Sequence, residues 1–256
     1  MAIPKNVFLG LIYKFQFVED IMKIECVWEH NGGDSILYAD NFVGAFTRGS
    51  SLEEAKLKMP EEIRRFQIWR GEASGEYFKT VIVQEKESDL QVKDADSDVI
   101  FETEKLPLSA EEYRYLKSVA LKSAEDFYHL YASFPNKNKS VNPIRKTFYG
   151  AVPRTAEEMY QHTKNVNAYY FSEIGVDADN EGTIVSCRAR GFDILETIPD
   201  FLSLETVTGS YDELWSVRKV LRRFIWHDRI HAKAMYRMGV LTFGADVIPD
   251  LFRFAR

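Results

Sequence analysis

The sequence predicts an α+β fold in which a small ββ(β)αβ unit precedes a bundle of four helices. Three observations support this prediction. The chain has 256 residues, of which 45% are hydrophobic and 14% aromatic, enough to bury a sizeable core. Residues 22–105 contain short runs with the two-residue alternation that is typical of strands. Residues 106–256 contain longer runs whose apolar residues recur at helical spacing.

The first unit begins with a predicted hairpin. From Met22 onward, residues 23–28 alternate between polar and apolar side chains, which is typical of a half-buried strand. The turn signal Asn-Gly-Gly-Asp over residues 31–34 predicts a return strand over residues 35–39. Residues 1–21 are interpreted either as an upstream extension or as an ordered N-terminal strand or arm.

A helix and further strands complete this unit. After a short aromatic-rich run, Ser50 or Ser51 is the predicted N-cap of a helix whose first turn is acidic. Pro60 lies inside the helical pattern and is expected to kink or divide the helix. Further strands are expected over residues 78–83 and 99–103. The first unit therefore extends to residue 105.

The second half starts with two helices that have clear start signals. Ser109 is the predicted cap of the first helix, and Glu112 closes a capping box with it. A long connection rich in Asn, Lys and Pro follows. Thr155 is the predicted cap of the second helix, which runs to about residue 174 and ends at Gly175.

Two more helices complete the predicted bundle. The third is expected around residues 190–205, where Pro199 must bend or end it. Ser210 is the predicted cap of the fourth helix, which is expected to run to Met238 and to end at Gly239. Four amphipathic helices joined by one or two long connections are typical of a helix bundle.

Three of the five histidines form the strongest chemical pattern in the chain. His227 and His231 occupy positions i and i+4 of the fourth helix, so both imidazoles project from one face, beside its apolar stripe. His162 has a similar position on the second helix. Three imidazoles around one point would hold a divalent cation, with zinc and nickel as the best matches, and would leave a coordination position for water or substrate.

Spacing alone leaves another interpretation open. Asp228 follows His227, so the segment lacks the HExxH pattern of zinc proteases. Buried histidines are also satisfied by hydrogen bonds or by stacking inside a core. His129, near the end of the first helix of the bundle, is a candidate fourth ligand, with a packed or surface position as its alternative. His30, before the Gly-Gly turn, is expected to be exposed.

Two segments give the bundle a family resemblance. The segment SVRKVLRRFIWHDRIHAKAMYRMG, residues 216–239, resembles the last helix of the DinB-like superfamily, also called the DinB/YfiT-like metalloenzymes. The segment TAEEMYQHTKNVNAYYFSEIG, residues 155–175, resembles the second helix of that superfamily. The resemblance covers residues 106–244 and implies a four-helix bundle with a metal held by His162, His227 and His231.

The resemblance to the DinB-like superfamily also implies a function. Members of the superfamily include thiol-dependent transferases and isomerases, in which the metal activates a low-molecular-weight thiol. For this chain the resemblance implies a divalent-metal-dependent transferase or hydrolase that acts on a small molecule. Arg222, Arg223 and Tyr169 are candidate substrate-binding residues. The alternatives are a solvated helix face for the two arginines and a core position for the tyrosine.

A second resemblance concerns the first unit. The run NFVGAFTRGSSLEEAKLKMPEEI, residues 41–63, resembles the strand–turn–helix segment of the HicB-like antitoxin fold, and the resemblance extends over residues 22–86. Such antitoxins carry a DNA-binding segment where this chain has the histidine-bearing bundle, so the resemblance implies partner binding or dimerisation. It supports a competing function, a non-catalytic regulator whose histidines only stabilise the bundle. Both resemblances favour a homodimer.

The composition of the chain indicates which class of partner is disfavoured and which cellular compartment is expected. The net charge of −6 disfavours general nucleic-acid binding. Cys26 and Cys187 match no disulfide or metal spacing and indicate a reducing compartment. Cys187 lies beside a cation, which can lower the pKa of a thiol, and is therefore a candidate for a reactive thiol. No run approaches the ~20 apolar residues that span a bilayer, and no signal-peptide cleavage site is present, so we expect a cytoplasmic protein.

Overall fold

The structure is a computed structural model and describes residues 21–75, 77–147 and 150–255. Within these residues the fold is α+β, with a mixed four-stranded sheet and five α-helices. The predicted fold class is therefore confirmed at this level. The predicted extension or arm over residues 1–21 lies outside the described residues, except for Ile21.

The sheet has the strand order β3-β2-β1-β4. Strand β1 lies between an antiparallel neighbour, β2, and a parallel neighbour, β4, and β2 also pairs with β3 in antiparallel fashion. Gly32, at φ 58°, supplies the left-handed residue that the tight β1–β2 turn requires. The predicted hairpin is confirmed. The strands are β1 (Met22–Asn31), β2 (Asp34–Ala39), β3 (Phe46–Gly49) and β4 (Phe78–Glu87).

Helix α1 (Leu52–Arg70) covers one face of this sheet. Ser51 is its N-cap, and the Ser51 hydroxyl accepts a hydrogen bond from the backbone N–H of Glu54 at 3.2 Å. The expectation that Pro60 divides the helix is wrong, because the helix is continuous across it. Proline removes one backbone donor, while the buried neighbours Met59 and Ile63 keep the helix packed on both sides of it.

The strand expected over residues 99–103 is absent from the described chain. Residues 99–101 have no regular structure, and Glu102–Lys105 form a 3₁₀ turn. The backbone carbonyls of Asp98 and Val99 instead accept hydrogen bonds from long cationic side chains, Lys219 Nζ at 2.9 Å and an Arg222 guanidinium nitrogen at 2.9 Å. Because these carbonyls bind side chains of the C-terminal helix, they are not available for the backbone hydrogen bonds that a β-strand would need.

Four α-helices form the second half and pack on one another in pairs. The predicted capping box of Ser109 with Glu112 is confirmed, and so is the predicted Thr155 cap, which in the structure also forms a capping box with Glu158. The helices are α2 (Ala110–Ala132), α3 (Ala156–Ser172), α4 (Ile184–Leu195) and α5 (Val217–Phe243).

The predicted bounds of the last two helices are wrong. The third helix begins after the Thr183 cap and ends before Pro199. The fourth begins after Ser216, because Ser210 lies in a short hairpin between β7 (Val207–Thr208) and β8 (Leu214–Trp215). A further small ladder joins β5 (Lys146–Thr147) to β6 (Gly150–Ala151).

Helix α5 also passes through the position at which the sequence predicts its end. Gly239 lies inside the helix, where a Cβ atom would come within 2.5 Å of the Phe134 ring. This glycine therefore permits close packing against the end of α2 and does not terminate α5. The helix ends at Gly244, which has φ 101°.

Helix α5 packs against both the other helices and the sheet. Trp226 lies with its ring edge-on to Tyr38 of β2, at 5.7 Å between centroids, and to Phe46 of β3, at 6.2 Å. One buried apolar cluster contains residues from β1, β2, α1 and all four later helices. Among the described residues, none of the helices combines the length and the apolar character needed to cross a membrane.

Candidate metal centre

The structure brings His162, His227 and His231 together. One nitrogen of each imidazole lies within 4.8 Å of a nitrogen of the other two, and the ring centroids are 4.5 to 5.1 Å apart. The three residues could therefore hold one metal ion. His227 is buried, His231 is half-buried and His162 is exposed, so the cluster has one side toward solvent.

The helical geometry explains why the three rings meet. His227 and His231 are one turn apart on α5, and His162 comes from α3, which packs against α5. Tyr170, two turns after His162, lies edge-on to the His227 ring at 5.9 Å and to Phe224 at 5.4 Å. These aromatic contacts fix the separation of the two helices beside the histidines.

The local electrostatics keep the three imidazoles neutral at pH 7. Burial, together with the charges of the other two histidines, lowers the pKa of His227 well below its usual value. Burial and the charges of His162 and Arg48 lower the pKa of His231 to about 3. Burial also lowers the pKa of His162. A neutral imidazole has a free electron pair, and this is the form that binds a metal ion.

One buried atom in the cluster lacks a partner. His227 is 9% exposed, and its Nδ1 atom has no hydrogen-bond partner among the described residues. A buried nitrogen without a partner destabilises a fold unless something satisfies it, and a divalent cation would do so. Nitrogen ligands of a tetrahedral zinc ion lie ~3.3 Å apart, so the cluster would contract by at most ~1.5 Å to bind one. The donor set fits a divalent metal ion.

The charge of Asp228, the residue next to His227, is neutralised by Arg188 and not by the histidine cluster. Both of its carboxylate oxygens accept hydrogen bonds from the Arg188 guanidinium, one of them at 3.1 Å, and both side chains are fully buried. The Arg188 guanidinium also lies 4.2 Å from the centre of the Phe224 ring. Sequence reasoning missed Arg188 as a partner. The only available signal was a carboxylate within an apolar helical stripe, which requires a buried cation.

The candidate substrate-binding arginines are also engaged in buried pairs. Arg222, 1% exposed, forms a bidentate pair with Glu104 and donates to the Val99 carbonyl. Arg223, 6% exposed, pairs with Glu213. Tyr169 is half-buried and packs edge-on against Trp215 at 6.0 Å. Contact of these residues with a substrate stays a prediction, and the solvated face proposed as the alternative for the two arginines is wrong.

The remaining histidines and the cysteines lie apart from the cluster. His129 is exposed on α2 and does not belong to the three-histidine group. The expectation that His30 is exposed is wrong, because its ring stacks on Trp28 at 4.1 Å and its side chain is only 13% exposed. Cys187 is fully buried, and burial raises its pKa despite the neighbouring Arg188.

Comparison with known proteins finds no matching family model, no matching curated protein and no matching solved structure. The DinB-like and HicB-like resemblances therefore stay predictions from sequence motifs. What this chain can do chemically is therefore inferred from the histidine cluster and its surroundings.

Proposed function

We propose that the protein is a divalent-metal-dependent enzyme with His162, His227 and His231 as ligands. The observation that carries this proposal is the convergence of three neutral imidazoles, one of them with a buried nitrogen that has no partner among the described residues. Zinc and nickel suit a set of three imidazoles. The exposed position of His162 favours an open site over a closed structural one.

An ion held by three protein ligands would supply a Lewis-acid position for a water molecule or a thiolate. The residues of the chain would provide the rigid frame. Helices α3 and α5 fix the three rings, Tyr170 packs on His227 and is itself packed on Phe224, and the exposed edge of His162 leaves access from solvent. This arrangement suits two kinds of reaction on a small molecule. One is the transfer of a group to or from a low-molecular-weight thiol, and the other is hydrolysis.

The first experiment is elemental analysis of the purified protein. We expect about one zinc or nickel ion per chain, and we expect His227→Ala to lose it, because this substitution removes the most buried ligand. His129→Ala is the matched control, since His129 is an exposed helical histidine outside the cluster, and it should keep the ion. Metal-free wild type, or His227→Ala with unchanged metal content, would contradict the proposal.

The second experiment separates an enzyme from a regulator. Chelated wild type and chelated protein with zinc added back should differ in thiol-transfer or ester-hydrolysis rate, and His227→Ala should not respond to added zinc. A metal that is bound stoichiometrically but changes no rate would favour the competing function, a regulatory protein whose histidines stabilise the bundle.

A further inference from the structure

A basic groove of about 600 Å³ lies between helix α5 and the sheet unit, which consists of the four-stranded sheet and helix α1. Its walls come from β3, α1 and α5, so neither half of the chain forms it alone. The residues that line it include five cations and two glutamates. We name it the α1–α5 groove, and its charged residues are Arg48, Lys58, Glu61, Glu62, Arg65, Lys233 and Arg237.

Both glutamates of the α1–α5 groove are neutralised within the protein. Glu62 is 5% exposed and accepts a hydrogen bond from Arg229 at 2.6 Å, with Lys233 Nζ at 3.7 Å. Glu61 accepts a hydrogen bond from Arg65 at 2.9 Å. The carboxylates therefore do not cancel the remaining positive charge of the groove.

Arg48 and Arg237 are the cations without an acidic partner. Both residues are exposed, and within the described parts of the chain neither forms an ion pair with a carboxylate. One guanidinium nitrogen of Arg48 donates to the Lys93 carbonyl at 3.3 Å, and the nearby Asp94, which acts on Arg48 electrostatically, pairs with Arg145 at 3.0 Å. The two side chains are close enough for the charge of Arg237 to lower the pKa of Arg48, in addition to the larger effect of desolvation.

The α1–α5 groove lies next to the histidine cluster. Ile230, which lines the groove, directly precedes His231, and Ala234 follows it by one turn. A ligand held by Arg48 and Arg237 would therefore lie along α5 next to the residues that flank His231.

We propose that the α1–α5 groove binds the anionic group, a phosphate or a carboxylate, of the small-molecule substrate through Arg48 and Arg237. Guanidinium groups bind both kinds of oxyanion with paired hydrogen bonds. The role as a substrate subsite rests on the proposed metal-dependent function, whereas anion binding by the groove does not. The limited volume and the net charge of −6 favour a small molecule over a nucleic acid.

The test measures binding of inorganic phosphate and of succinate to the full chain by calorimetry at low salt. We expect Arg48→Gln/Arg237→Gln to weaken binding of at least one of them by about ten-fold or more, because two charge-assisted contacts are lost. Arg114→Gln, which removes an exposed arginine of α2 outside the groove, is the matched control and should leave the affinity within about two-fold. A stronger effect on phosphate identifies a phosphorylated substrate, and a stronger effect on succinate identifies a carboxylate.

Metal-free His227→Ala separates this proposal from the proposed function. If the groove binds the anion, His227→Ala keeps most of the phosphate affinity, and adding the two arginine substitutions removes it. Loss of phosphate binding in His227→Ala, with no effect of Arg48→Gln/Arg237→Gln, would place the anion on the metal and overturn the proposal. An equal loss in Arg114→Gln would overturn it as general charge attraction. Tighter binding of a single-stranded oligonucleotide than of phosphate, lost with the two arginines, would overturn the small-molecule assignment.

Discussion

His227 and Asp228 are adjacent residues with different environments and different tasks. His227 faces His162 across the α3–α5 interface and lies one turn from His231 on its own helix, whereas Asp228 is turned by one helical position toward Arg188 of α4. A buried carboxylate and a buried guanidinium each lose their hydration, so each depends on the other for charge compensation. The histidine cluster therefore lies beside a structural ion pair that does not belong to it.

Asp228→Asn tests this division of tasks. The substitution leaves the Arg188 charge buried and uncompensated, so we expect the free energy of unfolding to fall by about 3–5 kcal/mol. The metal content of the folded variant should stay at the wild-type level. Urea unfolding and elemental analysis measure the two effects. The control Asp193→Asn, at an exposed position on α4, should change the stability by less than about 0.5 kcal/mol. Loss of metal from folded Asp228→Asn would show that Asp228 supports the metal centre.

The two cysteines are a second test at the scale of single residues. Cys26 and Cys187 are both fully buried, and burial raises the pKa of Cys26 to about 12. A thiol with a raised pKa stays protonated at pH 7–9, whereas an unfolded cysteine, with a pKa of about 8.5, forms thiolate over the same range. We expect no rapid reaction of native protein with Ellman's reagent from pH 7 to pH 9, and two reactive thiols in urea. Rapid reaction of one thiol in native protein would restore Cys187 as a nucleophile candidate.

At the scale of elements, N-cap hydrogen bonds determine the residue at which a helix begins. Ser216 and Ser210 precede the same C-terminal helix and both are good cap residues by type. Only Ser216 accepts a hydrogen bond from a backbone N–H of α5, that of Lys219 at 3.1 Å. Between the two serines, Tyr211 and Asp212 have φ of 59°, which is incompatible with a continuous helix.

A pair of serine substitutions distinguishes the two caps. Ser216→Ala should lower the free energy of unfolding by about 1 kcal/mol, because a backbone donor in the first turn loses its partner. Ser210→Ala, at an exposed position, should change it by less than about 0.5 kcal/mol. Chemical denaturation monitored by circular dichroism measures both. The reverse order would mean that α5 begins six residues earlier, as the sequence predicts.

At the scale of the whole molecule, α5 joins the sheet unit to the other helices. Three side chains of α5 make these contacts. Arg229 pairs with Glu62 of α1, Arg222 pairs with Glu104, and Trp226 packs against Tyr38 of the sheet. The loop before β3 approaches α5 so closely that a Cβ atom on Gly44 would lie 2.2 Å from Ile225 Cγ2. The α1–α5 groove depends on this docking, since its walls come from β3 and α1 on one side and from α5 on the other.

Gly44→Ala measures the docking of α5 on the sheet unit. Gly44 has φ +99° and Gly32 has φ +58°, but a Cβ atom on Gly32 would have nothing within 4 Å. We expect Gly32→Ala to cost about 1 kcal/mol from backbone strain, and Gly44→Ala to cost about 3 kcal/mol or more from strain plus the clash. In Gly44→Ala combined with Ile225→Ala, the cost should be smaller than the sum of the single costs, because removal of Cγ2 relieves part of the clash. Strict additivity in urea unfolding would contradict the close approach.

The sequence by itself determined the features that depend on neighbours within one or two turns. The alternation after Met22, the Gly-Gly turn, the capping box at Ser109 and the cap at Thr155 each act over a few residues, and each is found where predicted. The i, i+4 spacing of His227 and His231 is also local. It placed both rings on one face of α5 before any tertiary contact was known.

Tertiary structure decided the features that depend on contacts between distant segments. Cationic side chains of α5 bind the backbone carbonyls of residues 97–99, and this prevents the expected last strand. The pairing of Asp228 with Arg188, the close packing at Gly239, and the α1–α5 groove likewise join residues far apart in the chain. The physical reason is that burial and charge compensation belong to the packed molecule, whereas periodicity and capping belong to the local chain.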